Sequence, residues 1–330
     1  MRALWQLPFR GGLMASEGRP IKVVAPVVPR VWALASGKGG VGKSLLAANL
    51  ACLLAEGEWP TTVVDLDFDG ANLHTFLGVS AEGPGLRGWL HRQGEISTQV
   101  ESHEMPGLSY LRGATLVATP HPGVRERRRL LGELGRLPAR TVILDLGSGV
   151  SPGVLDFFLA ADLPLLVVLP EPASIENAHQ FLKQVYLRRM MTRAGARRPW
   201  VAEVLAELGP GWRPVEVVTR LAHRDPAWAE RLGEQVSAFS PGLILNQIIY
   251  PTDVRVGFDL VGAVRAWFGF RLRFMGAVGH DPQVGYTTRR RRLFLREETG
   301  EVLAQGLSKV AEYGIEGGEL EPGDPPELDG

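Results

Sequence analysis

Between an apolar run, Val31 to Ala35, and a helix-like run, Leu45 to Ala55, the chain reads Ser36-Gly37-Lys38-Gly39-Gly40-Val41-Gly42-Lys43-Ser44. This fits the phosphate-binding pattern G-x-x-x-x-G-K-[ST]. Its glycines let the backbone curl so that successive N–H groups point inward at an anion. Lys43 neutralises the outer phosphates of a polyphosphate, and the Ser44 hydroxyl suits Mg²⁺. A helix starting at Leu45 adds its N-terminal dipole to the same spot. Strand, glycine loop and helix in that order commit the chain to an α/β fold. The candidate cofactor contacts are Ser36, Gly37, Lys38, Gly39, Gly40, Val41, Gly42, Lys43, Ser44 and Leu45.

The rest of the chain alternates in the same way. Strands are predicted at Val31–Ala35, Thr61–Asp67, Leu108–Arg112, Thr141–Asp145, Leu163–Leu169, Gly242–Asn246 and Arg273–Val278. Several are unbroken Val/Ile/Leu runs, the mark of strands buried on both faces of a mostly parallel sheet. Right-handed crossovers then gather the strand C-termini on one edge, where ligands bind. A mostly parallel, twisted sheet flanked by helices in three layers is therefore expected over residues 31–313. The stretch 193–240, with Trp200, Trp212 and Trp228, reads as an inserted helical element packed on that domain. Residues 1–30 read as a flexible arm, with Met14 an alternative start. Residues 314–330, rich in Gly, Pro and acid, read as a disordered tail.

Acidic residues sit where chemistry on a γ-phosphate needs them. Asp145 closes the run Val142-Ile143-Leu144 and is placed to hold Mg²⁺ through water. Asp65 and Asp67 fall on one face of an extended strand. Asp65 is assigned to the second shell of the metal or to a switch, and Asp69 to a turn or cap. Asn72 is left between a cap and a subunit contact. The glycines of Gly147-Ser148-Gly149 permit the two geometries of a γ-phosphate sensor.

The motifs together resemble the MinD/ParA family. The second lysine, Lys38, matches that family's deviant phosphate loop. Val63-Val64-Asp65-Leu66-Asp67 leading to Asn72-Leu73, Val142-Ile143-Leu144-Asp145 with its following turn, the Pro170-Glu171-Pro172-Ala173-Ser174 turn and Leu243-Ile244-Leu245-Asn246 follow in family order over roughly residues 31–312. Within the family the chain looks most like the flagellar-number regulators of the FlhG/FleN (MinD-like) group. The resemblance implies a P-loop ATPase that binds ATP and Mg²⁺ and dimerises with ATP. It would hydrolyse slowly under a partner's stimulation, and would govern the placement or number of a structure such as flagella. The alternative is a nucleotide-dependent scaffold or partition-type protein with little intrinsic hydrolysis.

Carried over residue by residue, Lys38, Lys43, Asp67 and Asp145 are the catalytic candidates. Lys38 would cross to the partner's nucleotide, and Asp67 would orient the attacking water. Ser44, Asp67 and Asp145 would serve the metal, the two aspartates through water. Gly147 would sense the γ-phosphate, and Asn246, Asp281 and Pro282 would lie by the adenine. Asn177, or Glu176, stands where the family often has an aspartate for the partner's signature lysine.

Charge narrows the remaining classes. Lys+Arg and Asp+Glu are both 36, so no overall field draws the chain to nucleic acid or an anionic membrane. Three arginine clusters are read either as solvated helix faces or as a ParA-like DNA surface: 125 with 127–129, 188–198, and 289–292. Cys52 is the one cysteine, which excludes an internal disulfide and an iron–sulfur site made by this chain alone. The last helical run, Glu301 to Tyr313, packs as well on a sheet as on a bilayer, and an acidic tail follows it. Stable membrane binding is not expected on that account. A cytoplasmic location is expected, with recruitment to a pole or the inner membrane face left to a protein of the polar or flagellar machinery.

Overall fold

The computed structural model describes residues 28–91, 94–114, 121–193, 199–207, 212–296 and 301–321. Most of the predicted arm (1–27) and the end of the tail (322–330) lie outside the described residues. In chain order the elements begin with β1 (Arg30–Ser36), α1 (Lys43–Glu56), β2 (Thr61–Leu66), α2 (Leu73–Leu77), α3 (Leu86–Leu90), β3 (Glu101–Ser102), β4 (Leu108–Leu111) and α4 (Val124–Leu134). Next come β5 (Thr141–Ser148), α5 (Pro152–Ala160), β6 (Leu163–Val168), α6 (Pro172–Arg193), α7 (Pro199–Glu207), α8 (Pro214–Ala222) and α9 (Pro226–Ser237). The chain closes with β7 (Gly242–Ile248), α10 (Val254–Phe268), β8 (Arg273–Gly279), α11 (Gln283–Arg289) and α12 (Glu301–Glu316).

The strands form one sheet in the order β3-β4-β2-β5-β1-β6-β7-β8, parallel except for β3 against β4. β1 lies inside the sheet with β5 on one side and β6 on the other. Strand order reverses there, which opens the crevice that receives ligands in doubly wound sheets.

Burial on both faces explains the unbroken apolar runs. Along β1, Trp32 and Leu34 enter one core, and Val31, Ala33 and Ala35 enter the other. The Trp32 core is closed by α1 and α12 through Leu46, Leu50, Leu307 and Val310. α1 is buried nearly all round because the sheet, α2 and α12 all pack against it. The other core packs Phe157, Phe158, Phe181 and Phe268 from α5, α6 and α10.

The 193–240 stretch joins that second core. Trp228 is buried and meets the Trp200 ring edge-on at 5.2 Å, while Val217, Leu221 and Leu232 sit in the same cluster. The Tyr186 hydroxyl of α6 donates to the carbonyl of Pro214 at 2.7 Å. These helices are part of the packed domain, and the tryptophans are its filling.

The tail corrects the sequence reading. Residues 314–316 continue α12, and the chain then runs back along the sheet to Leu320, which is buried and whose N–H donates to the Phe274 carbonyl at 2.6 Å. Gly314 lies flat on the Trp32 indole, where a Cβ would come within 2.3 Å of the ring. Composition alone could not reveal one glycine matched to one tryptophan.

Candidate functional site

Ser36 ends β1 and its Oγ donates to the Lys38 carbonyl at 2.6 Å, setting the first bend of the loop. Gly37 passes so close to α6 that a Cβ would lie 2.2 Å from the Asn177 carbonyl oxygen. Gly40 and Gly42 have φ of +79° and +90°, left-handed values that favour glycine. Nothing lies within 4 Å of where a Cβ on Gly40 would stand, so the bend opens onto free space, the cradle a polyphosphate needs. The Leu46 N–H donates to the Gly42 carbonyl at 3.0 Å, which starts α1 directly behind the loop. Ser44 and Leu45 thus lie in the first turn, with Lys43 buried at its head.

Asp145 stands beside this turn. It is fully buried, and neither carboxylate oxygen has a hydrogen-bonding partner among the described residues. Burial pushes its pKa up, to about 6, against the opposing pull of the Lys43 charge and the nearby Ser44 hydroxyl. An orphaned carboxylate next to a phosphate-loop lysine and serine fits Mg²⁺ held through water.

Asp65 is its direct neighbour across the sheet, paired in register on β2. Burial first, then the Asp145 charge, raise its pKa to about 8. Its oxygens accept from the Asp67 N–H and from the Leu73 N–H, each at 3.1 Å. Asp65 therefore caps α2 from the strand. Asn72, at the capping position itself, makes no side-chain capping bond.

Asp67 follows β2 and turns back on itself, one oxygen accepting from the N–H groups of Asp69 and Gly70 at 3.1 and 3.0 Å. That same oxygen would be 3.2 Å from a Cβ on Gly147, so Asp67 faces the switch segment. β5 extends beyond its predicted end because Ser148 pairs with Ser36 of β1, and the Gly149 N–H then donates to the Ser36 carbonyl at 3.0 Å. The loop, Asp145, Asp67 and Gly147 thus converge on one edge.

Other candidates sit differently. Asn246 is buried beneath the loop and donates from Nδ2 to the Val41 carbonyl at 2.8 Å. Its amide donor braces the phosphate loop instead of standing open to a base. Asp281 accepts the Gln283 N–H at 2.8 Å and, with Pro282, starts α11 after β8, three strands away from β1.

Lys38 reaches Glu171 at 3.3 Å, an exposed pair between loop and the β6–α6 turn. Asn177 instead bonds the Ala173 carbonyl of its own helix. In the sequence Glu171 stands out only as part of a turn motif, since nothing local links it to a lysine 133 residues earlier.

The first two arginine clusters are partly engaged. Arg127 and Arg188 both clamp Asp156, Arg129 pairs with Glu133, and Arg189 donates to the Gln235 carbonyl. Arg197 and Arg198 lie outside the described residues. Cys52 is buried in α1. No helix of the described residues is long and apolar enough to cross a membrane, and the apolar face of α12 is spent on the core.

Residues 32–258 match the CobQ/CobB/MinD/ParA nucleotide-binding domain. The chain belongs to this family. The flagellum site-determining protein YlxH of Helicobacter pylori is 31% identical over 157 residues, 46% of this chain and 52% of that protein. The antiactivator FleN of Pseudomonas aeruginosa is 27% identical over 176 residues, 50% of this chain and 59% of the relative. The chain spans about half the length of the curated relatives it matches. Among solved structures, the MinC:MinD cell division complex of Aquifex aeolicus aligns with a TM-score of 0.61 at 18% identity, over 90% of this chain and 100% of that one. A ParA family ATPase from Chlorobium tepidum aligns at 0.56 and 17%, over 86% and 99%. At these identities the structures testify to the fold, which agrees with the three-layer P-loop architecture expected from the motifs.

Proposed function

We propose that the chain is an ATP-driven switch of the MinD/ParA type that governs the placement or number of a cellular structure such as flagella. The observation that carries the reading is the single sheet edge on which Lys43, Ser44, Asp145, Asp67 and Gly147 meet. Lys43 and the loop N–H groups would hold the phosphates, and Ser44 with Asp145 would hold Mg²⁺, which supplies charge neutralisation as the terminal phosphate leaves. Asp67, with one oxygen fixed by its own turn, orients a water with the other. Gly147, against Asp67, relays whether the γ-phosphate is present.

Lys38 serves a different role. Its partner Glu171 is exposed, and such a pair contributes only ~0–1 kcal/mol. The lysine is therefore free to exchange Glu171 for a phosphate presented by a second copy. The named flagellar relatives, YlxH and FleN, support the choice of cargo.

The test is mass by light scattering with ATP–Mg²⁺ and with ADP, on wild type, Asp67→Ala and Lys38→Ala. A dimer in ATP that Asp67→Ala traps and Lys38→Ala abolishes is expected. Unchanged mass in every nucleotide would defeat the dimer switch. A phosphate-release assay separates the alternative: a dimer that forms normally yet does not turn over, even with a partner, is a scaffold.

A further inference from the structure

A cavity of about 610 Å³ lies away from the phosphate loop, between the end of α2, the β3–β4 turn and the segment after α11. Its volume is in the range of small-molecule sites. The family motifs do not reach it, and the switch reading makes no use of it.

Its walls are built in place. Arg291 has φ of +51°, a left-handed conformation costly for a side-chain-bearing residue. It backs onto Gly78, itself at φ +73°, so closely that a Cβ there would lie 2.7 Å from the Arg291 carbonyl oxygen. The turn is anchored before and after, by the Arg291 N–H on the Thr288 carbonyl at 3.0 Å and the Leu295 N–H on the buried Asn49 side chain at 2.9 Å. Opposite, His103 holds the Leu77 carbonyl with Nε2 at 3.0 Å while Nδ1 accepts from the Met105 N–H at 3.0 Å. With Nδ1 accepting, Nε2 is the nitrogen that donates to Leu77.

The chemistry of the lining is divided. The guanidinium of Arg291 makes no hydrogen bond or ion pair among the described residues, whereas Arg292 beside it on the same wall already has an interaction of its own. Among the described residues Glu104 is the one acid lining the cavity. Leu77, Leu293 and Tyr110 stand behind this wall and are themselves buried, so the surface the cavity offers is mainly polar. The Arg291 charge is also felt at His74, whose pKa is held low first by burial and then by this charge. A strained turn that holds an unpaired arginine on the wall of a cavity is shaped for an anion.

We propose that this cavity is a second ligand site, separate from the nucleotide edge, for a small organic anion: a phosphate- or carboxylate-bearing molecule with its anionic end on Arg291. Charge-assisted bonds of this kind are strong, so loss of Arg291 is expected to weaken binding at least tenfold.

The probe is phenyl phosphate, followed by ligand-observed NMR on the full chain, with phenol as the uncharged control. Arg291→Gly removes the charge while tolerating the left-handed backbone, so the variant keeps its fold, which circular dichroism checks. Lys43→Ala disables the phosphate loop. Binding of phenyl phosphate but not phenol, retained in Lys43→Ala and lost in Arg291→Gly, supports the site. Cosedimentation with phosphatidylglycerol vesicles, against phosphatidylcholine, assigns the source. Vesicle binding lost in Arg291→Gly means a lipid headgroup, and its absence beside phenyl phosphate binding means a soluble anion. Equal binding by Arg291→Gly, loss in Lys43→Ala, or no binding by wild type at millimolar probe would overturn the proposal.

Discussion

At the residue scale the site is governed by contacts that leave no spare room. Gly37 and Gly42 are held by different constraints. The first has the Asn177 carbonyl where a Cβ would go, and the second has both a left-handed φ and the Asn246 amide. Gly37→Ala must therefore push backbone against backbone, and near-complete loss of nucleotide binding is expected by titration with a fluorescent ATP analogue. Asn246→Ala removes one buried hydrogen bond from under the loop, worth about 1 kcal/mol, so a roughly fivefold weaker affinity is expected in the same titration. A far larger loss would mean that Asn246 also touches the base. The buried pair Asp65 and Asp145 gives a pH signature. Both are acids whose folded pKa lies above the unfolded value, so the native protein retains protons that the unfolded chain releases, and rising pH favours unfolding. With Asp65 raised from 3.8 to about 8, nucleotide-free protein should lose stability progressively from about pH 4 to about pH 8, by at most ~1.4 kcal/mol per pH unit for one proton, and level off above that. Urea titrations across that window should show a shallower slope for Asp65→Asn; equal slopes would place the shift elsewhere.

At the scale of elements, the structure is held by bridges between segments that sequence order does not pair. Asp156 of α5 takes Arg127 of α4 and Arg188 of α6, four bonds between 2.7 and 3.0 Å on one carboxylate. Asp156→Ala would leave Arg127 buried with its charge uncompensated, and destabilisation of about 3 kcal/mol is expected in urea unfolding. In sequence these arginines read as either a solvated face or a DNA surface, and only the fold reveals their common partner. The seven predicted strands are legible because double burial forces continuous apolar runs. β3 is not, being two polar residues, Glu101 and Ser102, held antiparallel at the edge. The phosphate loop is legible for the same reason that it works, since its glycines and lysine answer to backbone geometry within about ten residues. Glu171 and the position of Asn246 depend on contacts across 133 and 205 residues, which no local pattern encodes.

At the scale of the whole molecule, one sheet carries two helical layers and everything docks to it, including a segment whose composition reads as disordered. Leu320 and Gly314 fasten that segment to β8 and to Trp32. Leu320→Ala should cost about 2 kcal/mol in thermal or urea unfolding, whereas a disordered tail would give no change. The fastening has a further consequence. Arg30, at the start of β1, donates to the carbonyls of Gly314 and Ile315 at 2.8 and 3.1 Å, so both approaches to the domain meet at the sheet end opposite the phosphate loop. A fluorophore attached at Arg30 or Leu320 sits at the rear of the sheet, clear of the phosphate loop and its carboxylates. The protein can therefore be tracked from either side while its nucleotide edge stays open.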